Sequence, residues 1–153
     1  MAQPVIDYRG QHGFACRPED VWSAIEQVER FERWWPWLQD FRLEGDGLAA
    51  GTVLHGVVAP PLPYRMRVRV ELTTCVRPEA IDAVVAGDLT GVASLALRPA
   101  GEGSVIDAAW TVEMMQAPMR LASRVAYPLV RWGHDRVVEV TVARFRRYLA
   151  AGA

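Results

Sequence analysis

The chain has 153 residues, 51% of them apolar, with a formal charge of −1 and a pI near 6.3. Residues 1–153 therefore read as one domain with enough apolar material for a sizeable core. The balanced charge lacks the basic stripe of a nucleic-acid binder, and no apolar run approaches the ~20 residues that span a membrane.

Residues 5 to 16 read as a first strand, ending in "HGFAC". "RPEDVWSAIEQVERF" then supplies a helix start. Pro18 is tolerated in the first turn, and Glu19 and Asp20 favour the positive end of the helix dipole. Val21, Trp22, Ile25 and Val28 recur at helical spacing. A second short helix over Glu29 to Trp35 stops before Pro36, because a residue preceding proline is pushed out of the α region. The stretch "ERWWPWLQDF" holds three of the six tryptophans within ten residues.

From residue 38 the period becomes two. Phe41 and Leu43 alternate with Arg42 and Glu44, "EGDG" is a turn, and "GTVLHGVVA" is a strand ended by "PPLP". The clearest alternation is "YRMRVRVELT". Tyr64, Met66, Val68, Val70 and Leu72 share one face and Arg65, Arg67, Arg69 and Glu71 the other, which indicates an antiparallel sheet with one wet side. Strands at 80–88, 91–98 and 104–115 follow, joined by turns at "DLTG" and "PAGEG". "MRLASRVAY" reads as an irregular helix broken at Pro128, and Leu129 to Leu149 as a long one of about 30 Å. Val130, His134, Val138, Thr141, Val142, Phe145 and Leu149 form its apolar face.

The order is thus strand, two short helices, six strands, long helix. An antiparallel sheet with one apolar face needs a cover. One helix cannot fill the concavity of a curved seven-stranded sheet, so a cavity is expected between them.

This order resembles the helix-grip fold of the START/Bet v 1-like (SRPBCC) superfamily, and within it the bacterial polyketide cyclase/dehydrase and lipid-transport group. "PEDVWSAIEQVERFERWWPW", "AGDLTGVASLAL", "IDAAWTVEM" and "VRWGHD" carry the resemblance by their order and spacing. It implies an α+β domain with a hydrophobic internal pocket and no single chemistry. In "VRWGHD" the group more often has Asn where Gly133 stands, which leaves His134 as the polar residue of interest.

The expected partner is a hydrophobic small molecule: a lipid, an isoprenoid or an aromatic polyketide-like compound. No metal, cofactor or nucleic acid is expected. The candidate ligand-binding residues are Trp37, Phe41, His55, Met66, Trp110, Met114, Met119, Tyr127, Val130 and His134. Trp37 qualifies because Pro36 reorients it, and the methionines because their side chains adapt to irregular ligands. Trp110 fits a core or a pocket floor equally, and the register of His55 is uncertain beside Gly51 and Gly56. His134 is either a ligand donor near neutral pH or a core histidine satisfied by a backbone carbonyl, Asp82 or Asp88. The alternative function is a metal-free aromatase/cyclase or dehydratase with His134 and Tyr127 as its catalytic groups. A third possibility, a surface-acting stress protein of the same fold, requires a filled core. Cys16 and Cys75 are isolated and read as free thiols. The N-terminus lacks the pattern of a secretory signal, so a cytoplasmic protein is expected.

Overall fold

The computed structural model describes residues 5–151, apart from the side chains of Pro118, Met119, Ala122 and Ser123. Seven strands form one antiparallel sheet in the order β1-β7-β6-β5-β4-β3-β2. They are β1 (Val5–Phe14), β2 (Leu38–Glu44), β3 (Val53–Val58), β4 (Met66–Val76), β5 (Ala80–Gly87), β6 (Leu89–Ala100) and β7 (Gly103–Met114). The helices are α1 (Pro18–Ile25), α2 (Phe31–Trp34), α3 (Ala117–Val125) and α4 (Tyr127–Ala151). This is the helix-grip α+β fold.

Several boundaries differ from the sequence reading, each for a local reason. Helix α1 stops at Ile25, because the Gln27 N–H closes a tight bond to the Ala24 carbonyl and Gln27 then leaves helical geometry. Val28 therefore begins a single 3-10 turn instead of extending α1. The "DLTG" turn is not there: the chain reverses at Gly87 and Asp88, and Thr90 and Gly91 already pair with Glu113 and Val112. Gly87 has φ +107, and a Cβ there would stand 2.6 Å from the Arg67 carbonyl, so this reversal requires glycine. Pro128 does not break the last helix. It sits in the first turn of α4, where proline is tolerated, and the bend falls at Ala126. At 25 residues, α4 is about 37 Å long.

Two clusters form beneath α4. One joins Phe14, Val21, Trp22, Phe31, Trp34, Leu97, Phe145 and Leu149. The other joins Ile6, Val85, Val112, Met114 and Val130. Strand β1 is an edge, and unpaired edge carbonyls need partners. Arg131 and Arg146 of α4 donate to the carbonyls of Asp7 and Gly13, each at 2.8 Å, and so tie the helix across that edge.

Candidate functional site: an apolar cavity under the long helix

Between the sheet and the first half of α4 lies a cavity of about 330 Å³. One wall comes from the tryptophan-rich stretch. Trp34 is turned into the first cluster and is buried. Trp35, pushed out of helical geometry by Pro36, takes an extended conformation (φ −119, ψ 103). In extended chain, alternate residues share a side, so Trp35 and Trp37 lie together as parallel rings 5.8 Å apart on the cavity wall. Both are fastened to α4 at one residue: Trp35 donates to the Thr141 carbonyl (3.2 Å) and Trp37 to the Thr141 hydroxyl (2.7 Å).

Strand β2 adds Leu38 and Phe41. Strict alternation would put these on opposite faces. A bulge between Gln39 and Arg42, with Asp40 at φ +49, inserts the extra residue that aims both inward. The Phe41 N–H released from the ladder donates to Glu32 of α2 at 3.0 Å. Strand β4 contributes Met66, Val68 and Val70, and its arginines Arg67 and Arg69, like Arg65 just before it, lie on the other face.

His134 projects from α4 to the cavity wall, its side chain 13% exposed. The Trp110 indole donates to its Nε2 at 2.9 Å. That bond requires a bare Nε2, so the ring is neutral with its proton on Nδ1, which donates to Asp135 at 2.9 Å. Burial holds the His134 pKa below the usual histidine value. The Asp135 hydrogen bond opposes this, and the Arg131 cation adds to the lowering. Tyr8 stacks on Trp110, ring centres 4.5 Å apart, lies 5.6 Å from the His134 ring, and its hydroxyl bonds His12 at 2.8 Å. His134 is thus a satisfied histidine. Its carboxylate is Asp135, next to it in sequence, and not Asp82, which is exposed on the outer face, or Asp88, which accepts the Arg67 N–H.

Of the other expected residues, Trp37, Phe41, Met66, Trp110 and Met114 line the cavity. His55 borders it only by position. Its strand register places it between Arg42 and Arg69 on the outer face, where Nε2 meets Glu44 at 3.0 Å. Val130 is buried in the second cluster and off the wall, and Tyr127 is half-buried and also off it. The side chain of Met119 lies outside the described residues. Val137, and not Val138, faces the cavity from α4, while Val138 lies in a groove beside β1. The sequence reading preferred Trp37 to Trp35, did not single out Tyr64, and overlooked Val137, all of which line the cavity. For Trp35 the signal was present, since a tryptophan two residues from another in extended chain shares its side. Tyr64 was placed on the inward row of β4 but not singled out.

Among the described residues no group of three or more His, Cys, Asp or Glu is arranged to hold a metal ion. No described helix is long and apolar enough to cross a membrane.

The fold agrees with the similarities of the chain. TTHA0849 of Thermus thermophilus superposes with a TM-score of 0.80 at 16% identity, over 97% of this chain and 99% of that one. The structure of Ara h 8.0201 gives 0.69 at 14%, over 96% and 99%. The di-domain ARO/CYC BexL of the BE-7585A biosynthetic pathway gives 0.73 at 12%, over 95% of this chain and 50% of that one. At these identities the likeness is one of fold. No curated protein sequence matches the chain significantly. Residues 6–150 match the family model described as "Polyketide cyclase / dehydrase and lipid transport", and the chain belongs to that family.

Proposed function

We propose that the protein binds a hydrophobic small molecule, of lipid, isoprenoid or aromatic polyketide-like character, in the cavity between sheet and α4. The observation that carries this reading is the wall itself. It is built from aliphatic and aromatic side chains, and its indole and imidazole groups are already bonded within the protein. An apolar void of this size forfeits packing contacts along its lining, and an apolar ligand would restore them. A surface-acting protein would have no use for the void.

The ARO/CYC neighbour raises an enzymatic reading, a cyclase or dehydratase. Such chemistry needs a side chain able to exchange a proton with the ligand. His134 has both nitrogens engaged, Tyr127 stands off the wall, and Tyr64, whose pKa burial raises, holds its proton and offers a hydrogen bond instead of a proton transfer. Binding is therefore the preferred reading.

Titration with the uncharged fluorophore N-phenyl-1-naphthylamine tests it. One probe should bind per chain with a strong blue-shifted emission. Emission no greater than from a compact control protein of similar size would refute the proposal.

A further inference from the structure

Resting on that reading, we infer that the cavity selects an uncharged, largely aromatic ligand with one hydrogen-bonding oxygen, which the Tyr64 hydroxyl holds. Three observations converge on this.

The first is charge. Among the described residues no Arg, Asp or Glu lines the cavity, the His55 ring is turned outward to Glu44, and His134 is neutral because its Nε2 accepts from Trp110. A carboxylate, phosphate or ammonium inside would lose its hydration with no counter-charge to replace it.

The second is shape and lining. Phe31, Trp35, Trp37, Phe41 and Trp110 present five aromatic rings to a space of about 330 Å³. Rings of this kind favour stacked or edge-on aromatic partners. The volume is at the low end of the ~300–1,000 Å³ of ligand sites, which suits a molecule of two or three fused rings and is too small for a two-chain lipid.

The third is Tyr64. The other indole and imidazole groups turned to this wall have protein partners: Thr141 for Trp35 and Trp37, His134 for Trp110, Asp135 for His134. The Tyr64 hydroxyl has none among the described residues. It sits across from α4, 3.9 Å from where a Cβ on Gly133 would stand. Burial raises its pKa, so it remains protonated and able to donate. Its position is set in advance. Pro60, Pro61 and Pro63 stiffen the approach to β4, the Leu62 and Tyr64 N–H groups bond back to Pro60 and Leu62, and Leu62 packs into the notch left by Gly133, 2.6 Å from a Cβ there. Glycine at 133 therefore lets this loop close on α4 and bring Tyr64 to the cavity. Water can still reach this partly desolvated hydroxyl, and a ligand oxygen at that point would take the water's place as its acceptor.

The test compares 9-fluorenone, fluorene and fluorene-9-carboxylate by calorimetric titration against the wild type and Tyr64→Phe. Fluorenone affinity should fall about tenfold in Tyr64→Phe, equivalent to about 1.4 kcal/mol, while fluorene binds both proteins equally. Fluorene-9-carboxylate should bind the wild type at least about a hundredfold more weakly than fluorenone. Equal losses for fluorenone and fluorene would make Tyr64 a packing residue and overturn its assigned role, as would no loss for either. A carboxylate bound as tightly as the ketone would overturn the neutral class. Wild type that takes up N-phenyl-1-naphthylamine but neither fluorenone nor fluorene would refute this inference alone, whereas failure of all three would refute the binding function as well.

Discussion

Near its C-terminus α4 meets the sheet through Phe145 and Leu149, and the space there is filled. Phe145 packs edge-on against Phe14 and Trp34 at 5.6 and 5.7 Å, and Trp22 is 1% exposed. Two to three turns nearer its N-terminus the same helix presents His134 and Val137 to a space walled by Ala93, Val85 and Val112, and the space is open. The backbone arrangement is the same in both places: one helix above one curved sheet. Side-chain volume makes the difference. Large aromatics converge from β1, α1, α2 and α4 at the filled end, while the wall of the open one includes the small side chains of Val85, Ala93 and Val112, and its aromatic rings line the space instead of filling it. Trp35 and Trp37 stand at the border, and their bonds to Thr141 keep them from falling into the void.

The comparison can be broken most forcefully at the filled end. Phe145→Ala should destabilise the protein by about 3–5 kcal/mol, the range for truncating a buried aromatic, as read from urea denaturation. Binding of N-phenyl-1-naphthylamine by the folded fraction should survive. A loss below about 1 kcal/mol, under the usual cost of such a truncation, would mean that this end is not close-packed.

Enlarging a residue at the open end should do the reverse. Ala93 lies on the inward row of β6, between Ala83 and Trp110 in the register, and lines the cavity. In a packed interior, added methyl groups cost about 1–3 kcal/mol. Ala93→Leu should instead change stability by less than about 1 kcal/mol, below that range, and weaken the naphthylamine at least about tenfold. Strong destabilisation with unchanged binding would show that the two ends are packed alike.

The smallest effect belongs to His134, where the two ends differ in protonation chemistry. The fold keeps this ring neutral and lowers its pKa from the usual 6.5, chiefly by burial. Below 6.5 the unfolded chain therefore binds more protons than the folded one, so stability is complete above that pH and declines as pH falls toward the lowered folded-state value. His12, also lowered chiefly by burial, acts in the same direction. Urea denaturation at about pH 7.5 and about pH 5.5, on either side of the ordinary histidine pKa, should show this decline in the wild type and a shallower one in His134→Gln. Naphthylamine affinity at the higher pH should stay within about tenfold of wild type in the same variant, or about 1.4 kcal/mol. An unchanged pH slope would mean that His134 titrates alike folded and unfolded.

How far the site was legible depends on the residue. Met66, Trp110 and Met114 were placed on the wall because β7, and β4 from Met66 to Leu72, alternate without interruption, and a period of two leaves one choice of face. Phe41 was placed correctly, but Leu38 could not be joined to it, because the Asp40 bulge that aligns them leaves no mark in an alternation pattern. His55 fell on the outer face by a register that the flanking glycines do not specify. On α4 the apolar stripe was found, yet Val137 and Val138 exchange roles. A helix of 3.6 residues per turn offers both within one broad face, and the tilt against the sheet decides between them.

Local chemistry, then, determined the elements of this protein: proline and acidic residues start α1, alternation writes β4 and β7, and Pro36 turns the chain after Trp35. These are short-range effects, readable from neighbours a few residues apart. Tertiary structure alone decided the polar fate of the site. Trp110 reaches His134 across 24 residues and Trp37 reaches Thr141 across 104, and Tyr64 is brought to the wall by where Leu62 meets Gly133. Hydrogen bonds in an apolar interior depend on distances of a few tenths of an ångström and on direction, and only the packed sheet and helix together set those.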